Sequence, residues 1–516
     1  MSSTAPAGAL STLTEEQRTA AATRDHNLFI EAGPGSGKTT TSAHRFGVQR
    51  FDPAHREDPR AVAAVSFTRA ATRNLRRRVQ RLWGIGAVTW PHRIVTLDSI
   101  MHDVLHDTLL AGLLVWPNQQ RLWPDGDIRL DVKDSWTSFG SKQFNRTAYR
   151  LTVVGKDVRI ETGFVAERRS AVPITEILPR LREGICTHED VREVLAQALA
   201  VPEIDAFVTS RLATTTRALV VDEVFDANDL DIAVIEAAIR GGVAVTMVGD
   251  PWQALYVFRG AKPHVVPDLI ARSGAVTASL STSFRWDTAE QGRLATDLRA
   301  GAGITLPVDD AATDLKDLDV VLGLWWKPLW DLGEGVLPLA FHGFKGGYEE
   351  AAATLLLNHV TRTIFDLDAT YLNDALTVLA IQDRDVPRLL EPALQAVAET
   401  LRAGDKDSVI AAYRQLVEVI ATVSPRLLRA PHYRHTDRLA LIQSRLRYSG
   451  RPLPGLTTHQ AKGGEWDAVG VQLSGSEREA LASGLSITED THRKLYVACT
   501  RARRRTAEVR AFDAHV

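Results

Sequence analysis

Between Leu28 and Thr40 the chain reads LFIEAGPGSGKTT, and no other stretch narrows its possible folds as far. Leu28 to Ala32 has the apolar character of a strand buried on both faces. Thr39 to Phe46 reads as a helix. The turn between them carries Gly33, Gly35 and Gly37. Glycines let backbone N–H groups converge on an anion, and the N-terminus of the following helix adds a favourable dipole. Strand, glycine turn and helix in this order predict a phosphate cradle made of Ala32, Gly33, Pro34, Gly35, Ser36, Gly37, Lys38, Thr39 and Thr40. Lys38 is expected to reach the β- and γ-phosphates of ATP, and Thr39 to hold Mg²⁺. Ala32 stands where this pattern usually has its first glycine.

Such a cradle needs an acid at the end of a neighbouring strand. RALVVDEVFD, from Arg217 to Asp226, supplies one. Leu219 to Val221 read as a buried parallel strand. Asp222 is placed to bind Mg²⁺ through water, and Glu223 to act as general base on the attacking water. A further strand, VAVTMVGD (Val243 to Asp250), follows one helix later.

With 516 residues the chain is long enough for several domains. It is 45% hydrophobic and 24% charged, the balance of an ordinary globular protein. No apolar run is long enough to span a bilayer. The start, MSSTAPAGALSTLTEEQ, lacks the basic and apolar segments of a signal peptide. Cys186 and Cys499 make neither a disulfide framework nor a zinc cluster, so a cytoplasmic protein without membrane contact is expected. The net charge is −2, so any nucleic-acid binding must come from a local basic stripe.

The order of further motifs resembles superfamily 1 helicases of the UvrD/Rep type, over most of the chain apart from two insertions. LTEEQRTA (Leu13 to Ala20) is similar to the motif whose glutamine reads adenine, which gives that role to Gln17. VSFTRAATRNLRRRV (Val65 to Val79) and TLDSIMHDVL (Thr96 to Leu105) resemble motifs that touch DNA, which implies contacts by Phe67, Arg69 and Thr96. In VGDPWQALYVFRGA (Val248 to Ala261) the resemblance implies that Gln253 senses the γ-phosphate while Tyr256, Phe258 and Arg259 face the strand. LSTSFRW (Leu280 to Trp286) implies that Phe284 stacks on adenine and that Arg285 touches the γ-phosphate. TTHQAKGGEW (Thr457 to Trp466) implies His459 near DNA and Glu465 near the nucleotide. VACTRA implies that Arg501 is the second domain's arginine finger.

Three residues depart from the family pattern. Phe225 replaces the glutamine of Asp-Glu-x-Gln-Asp that helps couple the two domains. Thr40 replaces the arginine that packs on adenine. Asp98 replaces a histidine and sets a negative charge near the expected phosphate path. The remaining catalytic residues are present, so an active ATPase is expected.

Arg69, Arg73, Arg76, Arg77, Arg78 and Arg81 fall on one predicted helix, some facing phosphates and the rest solvated. Phe67 and Phe258 are candidate stacking platforms for bases; core packing is the alternative for both, above all for Phe67 at a strand end. RLLRAPHYRHTDR (Arg426 to Arg438), continuing through Arg445 and Arg447, could touch duplex or a partner, or be a solvated helix. Trp325, Trp326 and Trp330 read as core or interface filler.

The expected fold class is α/β: two RecA-like parallel-sheet P-loop motor domains with inserted accessory subdomains. The first motor domain takes residues 1–105 and 184–280, and the second 281–394 and 455–516. The insertion 106–183 carries a hairpin, because Gly-Lys-Asp separates two β-branched runs between Tyr149 and Phe164. Thr187 to Leu199 begins with a capping-box signature. In the second motor domain Gly335–Phe344 and Asp374–Asp383 read as strands, and 395–454 as a reduced helical subdomain. The resemblance implies an ATP-dependent translocase or helicase moving 3′ to 5′ on single-stranded or tailed duplex DNA. DNA repair, recombination or defence against foreign DNA is the expected setting, with a nuclease or other protein as possible partner. The alternative is an ATP-switched DNA-binding or sensor subunit.

Overall fold

The computed structural model describes residues 13–133, 136, 145–170, 174–310, 315–404 and 406–511. The chain divides after Arg285 into two compact units.

The first unit contains strands β1 (Leu28–Ala32), β2 (Ala61–Ser66), β3 (Arg93–Thr96), β4 (Asp131–Lys133), β5 (Asn145–Val154), β6 (Asp157–Ser170), β7 (Ile185–Thr187), β8 (Thr216–Asp222), β9 (Ala244–Gly249) and β10 (Val276–Leu280). Six of them form one sheet in the order β10-β1-β9-β8-β2-β3, with every pairing parallel. Alternation along the strands feeds two cores. Phe29, Val65, Leu219, Val221 and Met247 enter one, while Ile30, Val62, Ala64, Val220 and Val248 enter the other. Burial on both faces is why these strands read as continuous apolar runs. β1 lies between β9 and β10, and the chain leaves it to reach β2 across the sheet. The carboxyl end of β1 is therefore where an open parallel sheet offers its ligand crevice.

Four helices matter for the site: α1 (Glu15–Ala22), α2 (Lys38–Arg50), α3 (Arg69–Trp83) and α4 (Leu97–Leu110). α3 buries Thr72, Leu75, Val79 and Trp83 and leaves Arg69, Arg73, Arg77 and Arg81 exposed. Arg45 of α2 is fully buried, and its guanidinium donates to the carbonyls of Ala21, Thr23 and Asp25. It thereby caps the carboxyl end of α1 with a cation.

β5 and β6 form an antiparallel hairpin about a turn at Gly155 and Lys156. The helix His188–Ala198 opens with a capping box between Thr187 and Asp190. It also closes the outer edge of β5 with side chains. The Leu151 amide donates to Glu193 Oε2 at 2.9 Å, and the Val153 amide to Gln197 Oε1 at 3.0 Å. Gln197 Nε2 returns a bond to the Leu151 carbonyl at 2.7 Å.

The second unit holds β11 (Val308–Asp310), β12 (Val320–Gly323), β13 (Val336–Pro338), β14 (Leu453–Thr457), β15 (Trp466–Gln472) and β16 (Ala502–Arg510). Their order is β11-β16-β15-β12-β14-β13, again all parallel. Each unit is thus a parallel α/β domain of the RecA-like kind. Between β13 and β14 the chain runs through helices that include Tyr348–Phe365, Leu372–Val378, Glu391–Arg402, Lys406–Ala421 and Tyr433–Leu446, all sharing one core.

Two expectations are corrected here. Asp374–Asp383 is not a strand: it holds most of the helix Leu372–Val378, whose Ala375 and Leu376, with Leu379 beyond, are buried at helical spacing in that core. Within Gly335–Phe344 only Val336–Pro338 is strand. Among the described residues no helix is long and apolar enough to cross a membrane.

Candidate nucleotide and nucleic-acid sites

The turn between β1 and α2 is held open from outside. Ser283 Oγ donates to the Pro34 carbonyl at 2.8 Å, the Phe284 amide to the Gly35 carbonyl at 3.0 Å, and Gln17 Nε2 to the Ser36 carbonyl at 2.9 Å. In a planar trans peptide the next N–H points opposite to the carbonyl. With these carbonyls turned outward, the Gly35 and Gly37 amides face the cradle. Both glycines have left-handed backbone, φ +70° and +82°. A Cβ on Gly35 would stand 2.5 Å from Arg285 Cβ, and one on Gly37 2.5 Å from Gln17 Nε2. Conformation and space both demand glycine here.

Lys38, the first residue of α2, places Nζ 3.3 Å from Glu223 Oε1. Asp222 ends β8, is buried, and accepts a bond from Ser42 Oγ at 3.2 Å. Glu223 has φ +61°, a left-handed conformation that costs a non-glycine residue about 1 kcal/mol or more. Beyond the end of β9, Gln253 Nε2 donates to Asp250 Oδ2 at 2.7 Å, and both side chains are buried. Arg285 is buried beside Gly35, whereas Phe284 is 59% exposed. Gln17 uses both ends of its amide within the chain: besides the bond to Ser36, its Oε1 accepts the Thr14 amide at 3.1 Å. The structure therefore gathers Gln17, Lys38, Asp222, Glu223, Phe284 and Arg285 around one loop, with Thr39 in the first helical turn.

Among the described residues no cluster of three or more His, Cys, Asp or Glu could hold a metal unaided. Mg²⁺ takes one or two protein oxygens and completes its shell with phosphate and water. Thr39 and the buried Asp222 offer hard oxygen donors of this kind.

On the same unit, Tyr256 and Phe258 have ring centroids 6.1 Å apart, and the Arg259 guanidinium lies 5.1 Å and 5.4 Å from the two rings. Phe258 is 58% exposed. This is a cation-backed aromatic surface open to solvent. Phe67 is only partly buried and packs against the core. Arg69 is exposed. Thr96 Oγ1 pairs with Ser99 Oγ at 3.2 Å at the start of α4.

In the second unit Arg501 is buried, and its Nε donates to the Val497 carbonyl at 3.1 Å. His459 lies on the short helix Thr458–Ala461 that follows β14. Glu465 pairs with Arg503 at 3.7 Å. Trp326 and Trp330 are core residues as expected. Trp325 is not: it is 63% exposed.

The profile described as UvrD/REP helicase N-terminal domain matches residues 13–271, half of the chain. The chain belongs to the UvrD/Rep helicase family. Membership makes it an ATP-hydrolysing enzyme of the superfamily 1 helicases. It is 25% identical over 560 aligned positions to "ATP-dependent DNA helicase UvrD2" of Mycobacterium tuberculosis, covering 95% of this chain and 77% of that one. "DNA helicase II" of Escherichia coli is 24% identical over 305 positions, covering 54% and 39% of the two chains. The "RecBCD enzyme subunit RecB" of Mycolicibacterium smegmatis is 34% identical over 118 positions, 23% of this chain and 11% of that one.

The departures from the UvrD/Rep pattern find physical partners. Phe225 is buried in the core, edge-on to Phe29 with centroids 6.1 Å apart. It therefore packs where the family's glutamine would bond. Thr40 receives the guanidinium of Arg78, which reaches across from α3. Asp98 accepts from Arg192 Nε at 2.6 Å, and the same guanidinium donates to Asp231 at 2.9 Å. Asp98 is thus a paired member of a triad joining three helices. The partners of Arg45, Arg78 and Arg192 escape sequence reading because they lie far along the chain.

Proposed function

We propose that the chain is an ATP-driven DNA translocase and helicase working on single-stranded or tailed duplex DNA, with 3′ to 5′ polarity. The observation that carries this is the Lys38–Glu223 pair, 3.3 Å apart at the mouth of a glycine cradle. The arrangement supports hydrolysis in the following way. The Gly35 and Gly37 amides and Lys38 bind the β- and γ-phosphates, and Lys38 exchanges its partner Glu223 for phosphate oxygen. Glu223, released, takes a proton from the attacking water as its oxygen bonds to the γ-phosphorus. The bond from that phosphorus to the bridging oxygen breaks, and its electron pair leaves with ADP. Arg285, and Arg501 from the second unit, stabilise charge on the transferred group. Mg²⁺, when held by Thr39, Asp222 and phosphate, neutralises part of the polyphosphate charge. Bases of the strand stack on Phe258 and Tyr256, a mode that accepts any sequence.

Steady-state ATP turnover measured against oligo(dT) of increasing length tests the proposal. A translocase raises its turnover strongly with DNA and continues to gain with length. Lys38→Ala should lower that turnover about a hundredfold or more. Wild-type rates in Lys38→Ala, or turnover indifferent to DNA, would overturn the reading. Phe225, apolar where the family couples its domains through glutamine, favours a second reading, an ATP-switched DNA clamp. Its signature is slow turnover that saturates on short oligonucleotides.

A further inference from the structure

Trp325 leaves a large indole in water at a place where the surrounding chain is well packed. Its neighbours Leu324, Trp326, Leu329 and Trp330 are at most 7% exposed, while Trp325 is 63% exposed. It lies two residues beyond the end of β12. His459 lies two residues beyond the end of β14. The two strands are adjacent and parallel, and their last residues, Gly323 and Thr457, are register partners. Thr458 Oγ1 reaches the Gly323 carbonyl at 3.4 Å, holding the two exits together. Trp325 and His459 thus leave the same carboxyl edge of the sheet side by side, the edge at which parallel α/β sheets bind their ligands. Lys494, from the helix Asp490–Cys499, sets Nζ 5.7 Å from the indole centroid, and Asp490 holds that ammonium in place. Lys327 nearby has an 84% exposed side chain and pairs with Asp331 at 3.0 Å.

We infer that Trp325 is a stacking platform for an unpaired base of single-stranded nucleic acid, a contact supplied by the second unit. The inference rests on the nucleic-acid reading above and adds a residue to it. A single exposed aromatic flanked by lysines, each paired with an acid, suits stacking on one base; a protein partner would need a contiguous apolar patch. The composition matches the first unit, where exposed Phe258 is backed by Arg259.

Fluorescence anisotropy with labelled oligo(dT) and with an abasic tract of equal length tests it, since both probes carry the same phosphates and only one carries bases. Trp325→Ala should weaken oligo(dT) binding about five- to a hundredfold, leave abasic binding at the wild-type level, and recover most affinity as Trp325→Phe. Equal affinity of Trp325→Ala and wild type for oligo(dT) would overturn the inference. So would an equal loss on both probes, or a change in sedimentation with DNA binding intact, which would mark a protein contact. If wild type binds neither probe, the functional reading itself fails, a result distinct from all of these.

Discussion

A carboxylate at position 98 looks hostile to a polyanion until Arg192 is seen beside it. Burial raises the Asp231 carboxyl above its ordinary range, and Arg192 offsets only part of that rise. The guanidinium bonds to both acids, and neither is legible as a partner from local sequence. His92 shows the converse, a neutral imidazole held by the fold. Its Nδ1 accepts the Val62 amide at 3.0 Å, so it is unprotonated at that atom. Burial first, then Arg50 and Arg217, lower its pKa to about 4. The unfolded chain, at about 6.5, therefore binds more protons than the folded one between these values. Stability from His92 is whole above pH 6.5 and disappears as pH falls through 4, about 3 kcal/mol in all. Urea unfolding of wild type and His92→Phe from pH 7.5 to 4.5 should show the variant losing less stability on acidification. Parallel losses would remove His92 from the account.

Among the elements, the hairpin edge closed by Glu193 and Gln197 is a small latch with a measurable strength. A strand edge left bare invites pairing with other chains, and here two side chains one helical turn apart occupy it. Gln197→Met should remove both of its bonds to β5 and expose the Val153 amide. Leaving such groups unpaired costs about 1–3 kcal/mol. Hydrogen–deuterium exchange should therefore quicken at Leu151 to Val154 while the cradle at Gly33–Lys38 keeps its protection. Unchanged exchange at Val153 would show that the latch does not hold the hairpin. Local pattern sufficed to read the hairpin itself, the cradle and the central strands, because each is set by alternation, glycine and β-branching within a few residues. It failed at Asp374–Asp383, where an apolar run suits strand and helix alike and only contacts with distant helices decide. At Trp325 it left core and interface open: three tryptophans in six positions look alike in sequence, and only the turn after β12 separates the exposed one from its buried neighbours.

At the scale of the whole molecule, two parallel sheets of similar build occupy one chain, and their residues for nucleotide chemistry are unequal. On the proposed reading the first unit carries the cradle, its lysine and both acids, and the second would add Arg501, which binding does not require. If hydrolysis waits for that guanidinium, chemistry becomes conditional on a conformational step, and ATP can drive motion rather than merely be consumed. The two kinds of variant should then separate. Lys38→Ala weakens nucleotide binding and turnover together. Arg501→Ala should leave binding of a fluorescent ATP analogue largely intact while the single-turnover rate falls about a thousandfold. Arg501 is buried and bonds to the Val497 carbonyl, so packing alone could account for a loss. Arg501→Lys and Arg501→Met tell these apart. If packing is what matters, both keep most of the rate in proportion to their thermal stability. If charge on the transferred phosphoryl group is what matters, Met is as slow as Ala at equal stability and Lys recovers part of the rate. Full DNA-stimulated turnover in Arg501→Ala would leave the first unit hydrolysing by itself, and a motor would have to find its coupling elsewhere.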